Sequence, residues 1–354
     1  MASEGKTNNG RLAYVDALRG FTMFLVVFNH VLYLSFGTQS ETLTSAFFAL
    51  FRMPMFFFIS GFVAYKTIEH WTARFYAQRL RQKLVVQTVP ALFFFTLFTL
   101  CNGGNPLDAL HNGFGGYWFT FVLLEMLVTY FTLSLLARYS HPRVLDVGLV
   151  LIALLLGYLS VGNRDTTSLQ RMLSLESYLY FFQFFALGVL CRRYYALVMT
   201  LLRNPWVSAA LMLAFIALCM TQLNDGFRTT GRVDLMLNLS CRVAGVLTLF
   251  SVFAHRETYF SRQGRVQRVM NYVGRHTLDI YLLHFFFLPD LTSHASWILP
   301  ANQVLAQVCI GGTVSVLIIA LCLLCSQVLR TSNVLAHYLL GAKITKTENH
   351  SPKN

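Results

Sequence analysis

Tyr14-Val15-Asp16-Ala17-Leu18-Arg19-Gly20, followed by Phe21-Thr22-Met23-Phe24-Leu25-Val26-Val27-Phe28-Asn29-His30, decides the fold. An arginine opens an apolar run, and a histidine stands eleven residues later inside it. A helix rises about 1.5 Å per residue, so these two groups sit about 16 Å apart along such a run. If the run crosses a membrane, Arg19 lies near one surface and His30 well inside the hydrocarbon. A lone histidine on an apolar helix is ordinarily a packed structural side chain. Inside a bilayer an ionisable group is expensive and tends to be kept for function, so the meaning of His30 depends on what shares its depth.

Working outward, the composition excludes soluble domains. Of 354 residues, 55% are hydrophobic and only 12% charged, about half the share usual in soluble chains, and phenylalanine occurs 32 times. The net charge of +13 is dispersed between apolar runs rather than gathered in a stripe, which argues against nucleic acid as a partner. The first ten residues are polar and no small-residue cleavage pattern follows, so no cleavable signal peptide is read. Seven cysteines, mostly within apolar runs, do not form a disulfide framework, and Cys322-Leu323-Leu324-Cys325 reads as helix packing.

Ten apolar runs of roughly spanning length occur, at 17–36, 44–64, 84–101, 117–137, 144–162, 177–195, 206–223, 237–254, 271–289 and 303–329. With the N-terminus in the cytoplasm, 22 of the 28 basic residues fall on that side, only Arg164, Arg171, Arg228 and Arg232 on the other, and Arg52 and Arg242 inside runs. This alternation is the positive-inside pattern. The expected fold is therefore an all-α polytopic membrane protein of about ten transmembrane helices with both termini cytoplasmic. Residues 1–342 form one membrane domain and residues 343–354 a disordered polar tail. The glycine-rich stretch 102–116 is expected to be a re-entrant or flexible outer segment.

Topology converts position into depth. His30, Arg52, Glu125, Arg242, Asp279 and His284 fall in one layer of the outer half of the membrane. At about 2.5–3.5 kcal/mol for each central Asp, Lys or Arg, such a layer requires pairing or a wet cavity. A structural ion-pair network, such as Glu125 with Arg52, is the bland alternative. No Cys/His cluster at metal-ligand spacing, no HExxH and no phosphate-binding glycine loop occur, so no metal is expected. Histidine with carboxylates and arginines suits proton abstraction from a hydroxyl, with cations holding a developing oxyanion. On the cytoplasmic side, Arg74, Arg79, Arg81 and Lys83 cluster near Arg19, either as topogenic charge facing anionic lipid or as a phosphate clamp.

Four stretches in chain order then resemble the acyltransferase-3 family of integral membrane acyltransferases. They are Leu18-Arg19-Gly20 with His30, the run from Phe51-Arg52-Met53-Pro54 to Phe62, the run from Tyr117-Trp118-Phe119 to Glu125, and the run from Val273-Gly274 through Asp279 and Tyr281 to His284. The resemblance implies an O-acyltransferase that moves an acyl group, usually acetyl, from cytoplasmic acyl-coenzyme A to a hydroxyl of a glycan or glycolipid at the outer face. It also implies a bacterial cytoplasmic (inner) membrane location among membrane lipids. By position, His30 would be the catalytic histidine, Arg52 and Tyr281 or His284 would line the site, and Glu125 or Asp279 would orient a base. Arg19 with Arg74, Arg79, Arg81 and Lys83 would face the coenzyme, and Asp16, Asn29, Arg242 and Asp279 would lie about the substrate. The family's pair of basic residues before helix three is here Arg79-Leu80-Arg81-Gln82-Lys83, with the following proline delayed to Pro90. The alternative is a transporter or flippase for an anionic solute or lipid-linked sugar, although no inverted repeat is visible.

Overall fold

The computed structural model describes residues 12–37, 42–160, 167–227, 231–262, 264–294 and 304–341, and every element among them is helical. The polar tail at 343–354 and the bases Lys6, Arg11, Arg164 and Arg228 lie outside the described residues. Seven helical stretches are long and apolar enough to cross a membrane: Ala13–Ser35, Leu43–Ala64, Ala73–Cys101, Gly115–Tyr139, Pro205–Leu223, Gly231–His255 and Val304–Leu329. The pair Leu175–Arg193 and Tyr195–Leu202, bent by 98°, makes an eighth if taken as one span. The helices used below are α1 (Ala13–His30), α2 (Leu43–Ala49), α3 (Arg52–Ala64), α4 (Ala73–Lys83), α5 (Val89–Cys101), α6 (Trp118–Tyr139), α7 (Arg143–Leu159), α8 (Leu175–Arg193), α9 (Tyr195–Leu202), α10 (Pro205–Leu223), α11 (Gly231–His255), α12 (Arg265–Arg275), α13 (Thr277–Leu283) and α14 (Gly312–Leu329).

Three of the expected elements differ in ways that shape the site. The second run breaks between α2 and α3. Pro54 has no N–H and is tolerated only in a first helical turn, so α3 starts at Arg52 rather than continuing α2. The Ala49 carbonyl at the end of α2 accepts instead from Arg242 Nη1 at 2.8 Å. The basic segment before the third run is not a loop. It is α4, capped by the Thr72 hydroxyl, which accepts from the Phe75 amide at 3.1 Å, and it runs through a π-helical turn (Leu84–Thr88) into α5. The wider π turn precedes Pro90, which could not supply the ordinary helical hydrogen bond. The ninth run is not one straight span: α12 ends at Arg275 with His276 as its cap, α13 begins at Thr277, and a 3-10 turn (His284–Phe287) follows.

Lipid offers no hydrophobic force to drive helices together, so small residues that let backbones approach carry much of the packing. A Cβ on Gly188 would lie 1.9 Å from the Phe58 carbonyl oxygen, and one on Gly61 2.0 Å from that of Phe185. α3 and α8 therefore meet backbone to backbone. They run in the same direction, with Phe57 stacked on Phe181 (centroids 5.1 Å) and, further along, Arg192 over Phe62 at 5.2 Å. Likewise α1 crosses α12 where a Cβ on Gly274 would lie 1.8 Å from the Asp16 carbonyl oxygen. These crossings hold α1, α3 and α13 around one interior space. All seven cysteines are free thiols, with Cys322 fully buried. The stretch 102–116 contains short helical turns, the last of them Gly115–Tyr117.

Candidate active site

Arg19, Met23, Val26 and His30 recur at i, i+4, i+7 and i+11, which is one face of α1. That face lines a cavity of about 300 Å³. The other walls come from α3 (Arg52, Met53, Phe56, Ile59, Ser60), the junction of α4 and α5 (Lys83, Val86, Gln87), the start of α6 (Trp118, Phe119, Thr120, Leu123), and α13 (Thr277, Leu278, Tyr281). The cavity is apolar along its length and charged at its two ends. Lys83 and Arg19 stand at one end, with Arg19 Nη2 donating to Thr277 Oγ1 at 3.2 Å. His30 and Arg52 stand at the other.

At the His30 end the hydrogen bonds fix which ring nitrogens carry protons. His284, fully buried, has Nδ1 3.0 Å from the Ile280 carbonyl and 2.9 Å from that of Tyr281. Carbonyls only accept, so His284 Nδ1 is the N–H and, in the neutral ring, His284 Nε2 is the acceptor. His30 Nδ1 lies 2.8 Å from that Nε2 and must therefore be its donor. The neutral His30 ring then keeps its lone pair on Nε2, the nitrogen of a general base. Phe285 packs against both rings, 5.2 Å from His30 and 4.0 Å from His284 between centroids. It enters where a side chain on Gly116 would collide with its ring, and the Gly116 carbonyl accepts from the Tyr281 hydroxyl at 3.1 Å. Arg52, in the first turn of α3, has a buried Nη1 with no protein partner. A guanidinium at a helix N-terminus, in the cavity wall beside a base and with Nη1 unbonded among the described residues, is placed to hold a developing oxyanion.

A second cavity of about 300 Å³ shares Arg19, Ile59, Ser60, Lys83, Gln87 and Leu123 with the first and extends it away from His30. Lys66, Trp71 and Arg79 also line it, with apolar residues of α3 and α6 between them, and no acidic residue lines it among the described residues. Four cations around one cavity favour an anionic group there.

Of the residues read from sequence, the structure brings Arg19, His30, Arg52, Lys83 and Tyr281 to the wall of the first cavity, His284 into contact with His30, and Arg79 to the second cavity. Others it places elsewhere. Glu125 does not pair with Arg52; it stands on the side of α6 toward Thr129 and Tyr178, which hydrogen-bond to each other at 2.8 Å. Asp279 is not in the His30 layer beside a base. It pairs with Arg330 at 2.8 Å and accepts from the Ser326 hydroxyl at 2.6 Å, tying α13 to the end of α14. Arg242 lies behind the cavity, donating to Ala49 and to Asn238 Oδ1 (2.7 Å). Asn29 accepts from the Ser45 hydroxyl at 2.7 Å, and Asp16 lies 3.6 Å from Arg275, so both join helices. Arg74 and Arg81 line neither cavity. The sequence reading missed Lys66, Trp71, Gln87 and Thr277. No group of three or more His, Cys, Asp or Glu able to hold a metal occurs among the described residues.

Residues 12–327 match a protein family described as an acyltransferase domain. No curated protein and no solved structure matches the chain. The match gives no support to the transporter or flippase alternative.

Proposed function

The chain belongs to the acyltransferase-3 family and is an integral membrane acyltransferase; from that premise we propose that it transfers an acyl group, acetyl in the first instance, from cytoplasmic acyl-coenzyme A to a hydroxyl of a glycan or glycolipid at the opposite face. The observation that carries this reading is the apolar cavity with Arg19 and Lys83 at one end and His30 and Arg52 at the other. The basic end and its adjoining cavity suit the phosphates of the coenzyme, and the apolar sleeve suits its arm and the thioester. The spans number ten in this reading, counting α7, the bent α8–α9 pair and the broken α12–α13 pair. Both termini then lie in the cytoplasm, residues 1–342 make one domain, and the bacterial inner membrane is the location.

In the proposed reaction, His30 Nε2 takes the proton of the acceptor hydroxyl as the oxygen attacks the thioester carbonyl. Arg52 holds the negative charge that develops on the carbonyl oxygen. Collapse of the tetrahedral intermediate breaks the C–S bond, and the leaving thiolate takes the proton from His30. The products are the ester and free coenzyme A, and the base is restored. His284 acts through His30 by holding its tautomer and is a positioning residue. The test is incubation of the purified full-length protein with radiolabelled acetyl-coenzyme A and a panel of glycans. Transfer by the wild type and loss in His30→Ala is the expected result; equal transfer by the variant would remove His30 from the reaction.

A further inference from the structure

The two cavities meet at a waist whose lining is shared. α3 lines the first cavity from Arg52 and the second as far as Ala64, and its Ser60 lines both. The junction of α4 and α5 contributes Lys83 and Gln87 to both. Gln87 is only 8% exposed, yet its carboxamide makes no hydrogen bond among the described residues. Neither carboxamide atom is sealed off, so the surface they keep opens onto the cavities that Gln87 lines. The Ser60 hydroxyl, at the same waist, is likewise unbonded among the described residues and not sealed off. Gln87 belongs to the π turn Leu84–Thr88, and wide turns of this kind recur at functional sites. An unbonded amide within a membrane-spanning helix is costly and tends to be kept for a ligand. Arg19 and Lys83 already serve a charged group here; a carboxamide and a hydroxyl suit a neutral group that both donates and accepts.

Helical rise gives the depth of these groups. Gln87 stands one turn beyond Lys83, about 6 Å along its helix, and Ser60 eight residues from Arg52, about 12 Å along α3. Arg19 and His30 are about 16 Å apart by the same rise, so both polar groups fall on the His30 side of the cations by about one turn. The arm of coenzyme A carries two secondary amides in series between its phosphates and its sulfur. With the phosphates at Arg19 and Lys83 and the sulfur near His30, the amide nearer the phosphates falls at the waist. We propose, on the premise of the acyl-transfer function above, that Gln87 and Ser60 bind this amide and make the enzyme selective for pantetheine thioesters. A trans amide presents its carbonyl oxygen and its N–H on opposite sides, and Gln87 and Ser60 approach from two different walls. The Gln87 amide donates to the carbonyl oxygen, and the Ser60 hydroxyl oxygen accepts from the N–H. A thioester that shares only the phosphates or only the acyl group with coenzyme A forfeits both bonds.

Calorimetry on the purified full-length protein in detergent measures the Kd of two probes. One is coenzyme A; the other is adenosine 3′,5′-bisphosphate, which keeps the nucleotide and phosphates but has no pantetheine arm. Gln87→Met, close in length and shape, is expected to weaken coenzyme A binding about fivefold or more, and Ser60→Ala about twofold or more. Both variants should leave the bisphosphate within about twofold, and thermal melts matching the wild type establish that they fold. A coenzyme A Kd unmoved in Gln87→Met, or equal weakening of both probes, overturns the amide contact and leaves the transfer function standing. A wild-type protein that binds neither probe overturns the coenzyme A assignment itself.

Discussion

Replacing His284 by phenylalanine tests the proton arrangement at its most specific point. The ring volume is nearly kept, and the exchange removes the single acceptor, His284 Nε2, that stands 2.8 Å from His30 Nδ1. The two carbonyls of Ile280 and Tyr281 lose their donor in the same step. His30 is then free to carry its proton on Nε2, where it cannot act as a base. An unmet buried hydrogen-bonding group costs about 1–3 kcal/mol. At about 1.36 kcal/mol per decade of rate, that is a loss in kcat of about 5- to 150-fold. The KM for acyl-coenzyme A should stay within about twofold, because the basic end of the cavity is three helical turns away. Steady-state release of the coenzyme thiol measures both constants. Nitrogen-15 NMR of the His30 ring supplies a readout that a purely structural role would not move: protonation on Nδ1 in the wild type, and loss of that preference in the variant. A His284→Phe enzyme with wild-type kcat, or a wild-type His30 protonated on Nε2 in the resting state, would refute the reasoning.

Arg52→Ala removes the cation beside His30, and kcat is expected to fall about 10²–10³-fold, as when one oxyanion donor is lost. Single-turnover acyl transfer checks it. Lys83→Ala and Arg19→Ala should each raise the KM for acyl-coenzyme A about 10-fold or more, the worth of one charge-assisted hydrogen bond, while Arg74→Ala and Arg81→Ala leave it within about twofold. Titration of the coenzyme in the thiol-release assay separates the two pairs. Gly188→Ala drives a Cβ into the Phe58 carbonyl, and the overpacked α3–α8 contact should cost about 1–3 kcal/mol, seen as a lowered midpoint in a thermal melt. A melt equal to the wild type would mean that α3 and α8 do not meet backbone to backbone.

Much of the architecture was legible because apolar runs of spanning length have few other uses. Seven of them are spans by length and composition, and the α8–α9 pair adds an eighth when taken as one. The breaks were harder to read. Pro54 and Pro90 were visible, but the way each was absorbed, a helix restart at Arg52 and a π turn at Leu84–Thr88, depends on tertiary partners such as Arg242. Depth alone placed Glu125, Arg242 and Asp279 in the His30 layer. Depth carries no information about which way a side chain points around its helix, and these three turn away from the cavity or bind a distant partner. The face was readable: the eleven-residue spacing of Arg19 and His30 is close to three full turns, which puts them on one stripe with Met23 and Val26. Asp279 could not have been assigned to Arg330 from sequence, because the two are 51 positions apart and meet only where the end of α14 packs near α13. Trp71 and Lys66 carried no motif and became site candidates only through the second cavity.

The central claim is that one cavity brings a coenzyme A thioester from the Arg19–Lys83 end to His30 Nε2. A haloacetyl-coenzyme A tests it directly, since the carbon bearing the halide is alkylated by a nucleophilic nitrogen within reach, with loss of the halide. Peptide mass spectrometry of the full-length protein should find the adduct on His30, prevented by excess coenzyme A and lost in His30→Ala. An unmodified His30, with the label absent or carried by a residue outside the cavity, would contradict the account.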